Sequence, residues 1–424
     1  MISFLIKGIL RDRSKSLIPI VIISIGVTLT VLTTGYVTGA LSDIVDQNAK
    51  LDTGHLKVMT KPYAENKDQI PNDLALLGLE ELTASLQTQF SDVLWTPRIR
   101  FGGILDVPDQ NGDTKSQGPG MGLAVNLLNP NSGEGARLNL DKALVRGHLP
   151  QNPGEVVLSE FFAQKLEVDL GQELTFFGSS MEGSMVFYKF ILIGTVQFGM
   201  PAMDKGAFVI DISDAQRVLD MQDGSGELLG YLPFEIYDDT RASEIATTFN
   251  AQYENSEDEY APVMLTLKQQ NNLGSTLDYS QTVVSLFIFI FVFAMSIVLW
   301  NTGLIGGLRR YKEFGIRLAL GESKRKVYRL LLAEASIIGI IGSLIGTSIG
   351  LAGTYYLQIV GIDISKYIEN STIIMPSVIR ARVTSNLFFI GFIPGLLSML
   401  FGTMLSGRAI FKRDTARLFN ELEV

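Results

Sequence analysis

No cysteine occurs in this chain of 424 residues, and only two histidines, His55 and His148, are present. Disulfides and thiolate-bound metals are thereby excluded. The two histidines lie far apart with no local spacing for a third ligand, so they read as surface or capping groups and no metal site is expected. The phosphate-loop pattern G-x-x-x-x-G-K-[ST] and the metal helix H-E-x-x-H are also missing. Nothing in the chain is recognisably built to make or break a covalent bond, and no catalytic residue or resident cofactor is expected.

Charge is absent from four long stretches: Ser16–Ser42, Tyr279–Leu308, Ala335–Ile362 and Val383–Gly407 contain no Asp, Glu, Lys or Arg. A hydrocarbon core about 30 Å thick needs about 20 apolar helical residues, and every stretch exceeds that. The spacing predicts a membrane protein with four transmembrane α-helices and a large α+β extracytoplasmic domain, residues 43–278, inserted between helices 1 and 2. Residues 309–334 then join spans two and three, 363–382 form an outer loop, and 408–424 follow the last span. Residues 1–15 interleave Ile2, Phe4, Leu5, Ile6, Ile9 and Leu10 with Lys7, Arg11, Arg13 and Lys15, the pattern of a short helix in the membrane interface. The first span is too long for a signal-peptide core and reads as a retained anchor.

Residues 1–15, 309–334 and 408–424 hold 16 of the 35 basic residues, whereas 43–278 hold 16 basic and 35 of the 44 acidic ones. The positive-inside rule then makes both termini and the basic loop cytoplasmic and places the acidic domain outside. So acidic a domain disfavours nucleic acid and anionic lipid headgroups as its partners.

Local signals add detail. Pro19 suits the opening turn of the first span, and Gly35 and Gly39 would admit a second helix closely. Leu41, Ile44, Val45 and Leu51 keep helical spacing, so the helix should continue outward as a stalk, with 268–272 as its returning limb. Gly342, Gly346 and Gly350 share one helix face, for packing against another helix of the same chain. Pro394 should kink span four. Glu334 reads as a hydrated or paired group at the cytoplasmic interface. In the outer domain, Gly54–Val58 alternates like a half-buried strand, Asp73–Phe90 has an amphipathic helical face, and 154–159 lead as a strand into a helix over 160–166. Residues 171–177 and 187–196 form a hairpin with its tip near Gly178–Val186; helices are expected over 213–221 and 242–253, and a strand over 233–237. Pro108–Gly122 and Asn129–Gly135 read as turn-rich breaks.

The cytoplasmic loop carries the most specific signal. Glu313-Phe314-Gly315-Ile316-Arg317-Leu318-Ala319-Leu320-Gly321-Glu322-Ser323-Lys324 reads as a short helix ended by Gly321 as a left-handed cap, with a new helix from Ser323. Phe314 and Ile316 on one side and cations on the other make a peg for a partner's groove. The alternative is a basic loop that simply obeys the positive-inside rule.

This E-x-G-x-x-x-A-L-G-x-[ST]-[KR] run, followed by Glu334-Ala335 and a glycine-rich span, resembles the FtsX-like permease domain of ABC transporters. Arg146-Gly147-His148-Leu149, Gly154-Glu155-Val156-Val157-Leu158-Ser159-Glu160 and Leu166-Glu167-Val168-Asp169-Leu170-Gly171 resemble the outer-domain signature of MacB and LolC/LolE permeases. MacB proper carries an ATPase at its own N-terminus and FtsX proper has a smaller outer domain, so the lipoprotein-releasing LolC/LolE group is nearest in layout. The resemblance implies a MacB-type permease in a bacterial inner membrane that extracts lipoproteins from the outer leaflet, its large domain in the periplasm. Its implied partners are two copies of an ABC ATPase that binds ATP and Mg, a second permease copy or paralogue, membrane lipid and a periplasmic lipoprotein carrier, with no nucleic acid. Glu313, Phe314, Gly315, Ile316, Arg317, Ala319, Leu320, Gly321 and Lys324 would couple the chain to that ATPase. Leu41, Ile44, Val45, Leu277, Val283 and Val284 would line the path of an acyl chain, or else merely pack the stalk. Peptide or drug efflux is the alternative within the class, and a membrane-anchored extracytoplasmic sensor the alternative outside it.

Overall fold

In the computed structural model, which describes residues 13–109, 111–129, 131–233, 237–309, 316–317, 320–368 and 378–412, the chain divides into two units. One comprises Met1–Ser42, Leu277–Ile362 and Ile379–Val424, the other Asp43–Thr276 and Asp363–Val378. The interfacial segment expected at the N-terminus lies mostly outside the described residues.

The first unit holds helices apolar and long enough to cross a membrane, at Ser16–Thr53 (which runs on into the second unit), Thr282–Asn301, Lys324–Val360 and Leu387–Ser406. The third packs on the first through glycine. A Cβ at Gly346 would stand 2.6 Å from the Ser24 carbonyl oxygen, and one at Gly342 or Gly350 2.8 or 2.7 Å from Ile23 or Val31. The backbones are near enough for the Ser24 and Thr28 hydroxyls to donate to the Gly342 and Gly346 carbonyls, at 3.2 and 3.1 Å. Lipid is as apolar as valine, so water exclusion does not hold these helices together; close packing does, and small residues permit it. Gly35 and Gly39 serve the same end against Thr354 and the Arg380–Arg382 backbone.

The fourth span is divided at Gly391, between Leu387–Ile390 and Phe392–Lys412. Pro394 explains the break, because it cannot donate to the Ile390 carbonyl and its ring crowds that carbonyl. Pro19, in contrast, sits inside the helix Arg13–Asn48 and not in its opening turn, because the helix begins upstream of the uncharged stretch. The second span contributes Met295 against Gly26 and Leu299 against Gly402, and leaves Phe289 and Phe293 exposed.

In the second unit the strands are β1 (Leu56–Thr60), β2 (Leu76–Leu77), β3 (Leu94–Pro108), β4 (Thr114–Val125), β5 (Leu144–Gly147) and β6 (Glu155–Ser159). Then follow β7 (Glu173–Ser179), β8 (Met185–Val196), β9 (Ala207–Asp211), β10 (Gly224–Ser225), β11 (Glu227–Tyr231) and β12 (Pro262–Thr266). One sheet runs β12-β1-β11-β3-β4-β9-β6-β8-β5, and β7 bridges β3 to β8. The bridge closes β3-β4-β9-β6-β8-β7 into a ring of six strands. Its core draws on all six: Phe101, Phe176 and Phe208 meet with ring centroids 5.3 to 5.9 Å apart, beside Leu105, Ala124, Val156, Leu158, Phe190 and Leu192. The open part, β12-β1-β11 and the start of β3, is covered by the helices Leu79–Gln89 and Asp239–Ala251 around Leu86, Trp95, Ile245 and Phe249.

Three local expectations are corrected. Residues 114–122 are a strand of the ring and not a break; alternate glycines there give room to phenylalanines, since a Cβ at Gly120 or Gly122 would lie 3.0 Å from Phe208 or 2.4 Å from Phe101. The helix expected over 73–90 starts only at Leu79, because Gly78 at φ 67 turns the chain after β2. β1 is buried along both faces, Lys57 included. The strand expected over 233–237 falls partly outside the described residues; the strand nearby is β11.

Candidate functional site

Two regions hold the residues with functional potential, one in each unit. Where the chain enters the second unit, the helix Arg13–Asn48 passes into a π-turn, Ala49–Thr53, that ends at Gly54 with φ 59. A Cβ there would lie 2.6 Å from the Leu56 carbonyl oxygen, so the turn into β1 needs glycine. The returning limb leaves β12 at Thr266, which forms a capping box with Gln269 around the turn Leu267–Gln269. Asn271 and Asn272, at φ 50 and 56, then precede the helix that starts at Leu273. Ala49, Leu267 and Leu273 form a small apolar cluster with Ile44, Val45 and Tyr237.

Beneath these limbs lies a buried ionic network. Lys57 of β1 pairs with Asp52 of the π-turn at 2.9 Å and with Glu227 of β11 at 3.0 Å. Arg100 of β3 reaches Asp52 at 3.0 Å and also pairs with Glu227. Arg98, two residues earlier and therefore on the same strand face, donates its Nε to Glu134 at 2.9 Å, an Nη to the Tyr231 hydroxyl at 3.0 Å and the other to the Lys50 carbonyl. The Tyr231 hydroxyl in turn donates a hydrogen bond to the Ala49 carbonyl at 3.0 Å. Glu134 also holds Arg137, whose guanidinium stacks 4.2 Å above the Tyr231 ring.

His55, expected at the surface, is buried at this joint, where Nδ1 accepts from the Leu232 amide at 3.0 Å. Burial and the nearby positive charge of Arg137 pull its pKa down to about 4, so the ring is neutral with its proton on Nε2. His148 is exposed, as a capping group would be. Among the described residues no cluster of three metal-ligating side chains occurs.

In the membrane unit the described part of the basic loop between the second and third spans is one turn and its exit. Leu320 donates to Ile316 at 2.9 Å and Glu322 to Arg317 at 3.0 Å, with Gly321 at φ 89 between them. Ser323 caps the helix Lys324–Val360. Ile316 and Leu320 are 57% and 79% exposed, so this turn presents apolar side chains outward. Glu313, Phe314, Gly315 and Ala319 lie outside the described residues.

Of the candidate path residues, Ile44 and Val45 meet the returning limb in the second unit. Leu41, Val283 and Val284 are half-buried and belong to the membrane unit, and the side chain of Leu277 lies outside the described residues. The string Gly346-Thr347-Ser348-Ile349-Gly350 fits the nucleophile-elbow spacing, but it sits in unbroken helix and Ser348 bonds the Leu344 carbonyl at 2.8 Å, so it is not a strand-turn-helix nucleophile. The outer signature proves to be architecture. Gly147, at φ 75, must be glycine because a Cβ would stand 2.0 Å from the Ile193 carbonyl oxygen; Arg146 pairs with Glu160 at 3.0 Å; Glu155 accepts from the Gln151 and Asn152 amides; Ser159 caps the next helix.

Sequence reasoning passed over the whole ionic network. The signal was there: Lys57, Arg98 and Arg100 each stand in a strand among apolar neighbours, where an unpaired charge would be costly.

Residues 285–415 match the FtsX-like permease C-terminal model, and residues 16–252, more than half of the chain, match the MacB-like periplasmic core domain. The lipoprotein-releasing system transmembrane protein LolC from two strains of Xylella fastidiosa, Temecula1 and 9a5c, is 25% identical over 213 residues. That alignment takes in 49% of this chain and 49% of LolC, so the chain spans about half the length of the curated relatives it matches. The periplasmic region of MacB from Actinobacillus actinomycetemcomitans aligns with 55% of this chain and 95% of its own, with a TM-score of 0.37 and 12% identity. With both halves of the architecture matched, the chain belongs to the FtsX/MacB-type permeases of ABC transporters, as a relative of LolC.

Proposed function

We propose that this permease releases lipoproteins from the outer leaflet of a bacterial inner membrane, driven by ATP hydrolysis in a separate ATPase subunit. ATP and Mg²⁺ bind to that subunit, two copies of which serve a pair of permeases, either this chain twice or this chain with a paralogue. Both termini and the basic loop face the cytoplasm, and the acidic unit faces the periplasm, where a soluble carrier receives the product. The observation that carries the reading is the filling of the membrane unit: Ile23, Val27, Val31, Ile338 and Leu387 close its interior among the described residues, an apolar core and not an aqueous conduit. A permease so built does its work outside the bilayer. A multiply acylated substrate, at about 0.8 kcal/mol per buried CH₂, then needs both an apolar receiving surface and ATP-driven work. Photo-crosslinkers at Val45 and Val284 should capture lipoprotein in cells. Capture of non-lipidated peptide or drug alone would replace this reading with efflux.

The exposed turn at Ile316–Gly321 is the seat for the ATPase. Gly321→Val places a β-branched residue at φ 89, a local cost of at least ~1–2 kcal/mol. Membrane insertion should be unchanged, while ATPase co-purification or transport per ATP hydrolysed falls. Wild-type values for both would remove the coupling role.

A further inference from the structure

The ionic network beneath the limbs is more than the fold requires. Two cations, Lys57 and Arg100, and two anions, Asp52 and Glu227, are withdrawn from water at one place. An apolar cluster of the same volume is commonly as stable or more so, so stability alone does not account for four charges there. What ionic contacts provide and apolar contacts do not is direction: an apolar interface slides, whereas a fixed set of donors and acceptors has one register.

Asp52 is where the directions converge. Its Oδ1 takes Lys57 at 2.9 Å and Arg100 at 3.0 Å, which ties the outgoing limb to β1 and β3. Its Oδ2 accepts from Asn271 Nδ2 at 2.7 Å, which ties the outgoing limb to the returning one. Asn271 is itself held at left-handed φ and accepts from Lys67 at 2.7 Å through its other side-chain atom. Two adjacent left-handed residues are unusual outside glycine and tolerable for asparagine. Here the side-chain bonds of Asn271 hold that kink. Asp52 follows Asn48, the end of the first long helix, by four residues, and two residues after Asn271 the second long helix has begun.

We propose that Asp52 is a positioning residue that clasps the two limbs to each other and to the sheet, so that they move as one body when the permease works. The second half of this statement rests on the transport reading above; the first does not. The test uses the full chain in complex with its ATPase, in proteoliposomes holding a triacylated lipoprotein, with hydrogen exchange followed at the amides of 49–54 and 267–272. Asp52→Asn sets an amide NH₂ against that of Asn271. Exchange in both limbs should then quicken about 100-fold, and lipoprotein released per ATP should fall roughly tenfold while hydrolysis continues. Asn271→Asp, which sets two carboxylates together, should do the same. The exchanged pair Asp52→Asn with Asn271→Asp restores one carboxylate and one amide, and should recover slow exchange and release. Unchanged exchange in Asp52→Asn overturns the clasp, as does full release per ATP despite faster exchange, or a swap that regains thermal stability without regaining either readout. A wild-type complex that releases no lipoprotein indicts the transport reading alone, and the clasp is then decided by exchange in the three variants.

Discussion

Glu134→Ala is expected to cost the sheet-bearing unit about 3–5 kcal/mol, the loss typical of breaking a buried ion pair from one side. Glu134 is fully buried and divides its two oxygens between Arg98, 2.9 Å away, and Arg137. Its removal strands two guanidiniums that are 1% and 8% exposed. Arg98 keeps Tyr231 and the Lys50 carbonyl, but neither carries a charge to answer its own. Glu134→Gln should lose less, since it retains an acceptor. Arg146→Ala is the control: its pair with Glu160 is partly solvated, and losing it should cost no more than about 1 kcal/mol. Denaturant unfolding of the full chain in detergent, followed through Trp95 in the core beside β11, reads all three. Equal losses for Glu134→Ala and Arg146→Ala would refute the distinction between buried and exposed pairs.

The second large effect belongs to the membrane unit. Gly346→Leu drives a side chain into the first span, where the obstacles to its Cβ are the Ser24 carbonyl at 2.6 Å and Val27 at 2.7 Å. Backbone cannot step aside by a change of rotamer, so the helices must separate, at the upper end of the about 1–3 kcal/mol typical of overpacking. The Ser24 and Thr28 bonds to Gly342 and Gly346 go with them. Gly353→Leu makes the comparison, because its Cβ meets only the tip of Leu32, which has rotamers to spare. Yield of monodisperse protein after heating in mild detergent should collapse for Gly346→Leu and hold for Gly353→Leu. The same yield for both would mean that the two spans do not meet through Gly346.

These two sites also mark how far the sequence could be read. The stripe Gly342, Gly346 and Gly350 was legible because helical periodicity puts the residues on one face whatever the partner. The break at Pro394 and the positive φ of Gly321 were legible for the same reason: each follows from the chemistry of a single residue. Glu134 and Asp52 were not, because their partners are distant in sequence, Arg98 and Asn271 among them, and no local period announces such pairs. Lys57 misled by alternation, which assigns a charge to solvent unless a counterion is waiting. The glycines at 118, 120 and 122 misled by composition: they read as a turn-rich break, yet they are small because Phe162 of a helix and Phe208 and Phe101 of other strands need the space.

The six-stranded ring bears on how the protein matures. β3 and β7 are joined only after the intervening chain, residues 109–172, has been laid down, and β9 pairs with β4 across a longer stretch, residues 126–206, and with β6 across residues 160–206. Contacts of such sequence separation form slowly, because loop-closure entropy is lost before any pairing returns it. Until β7 and β9 arrive, β3, β4 and β6 offer unpaired edges to any other extended chain. β1 and the first part of β3 wait longer, for β11 and β12; the completed long sheet then ends at β12 and β5. Exposed edges therefore persist from the synthesis of β1 to that of β12, and a factor that shields nascent strands would act across that whole interval.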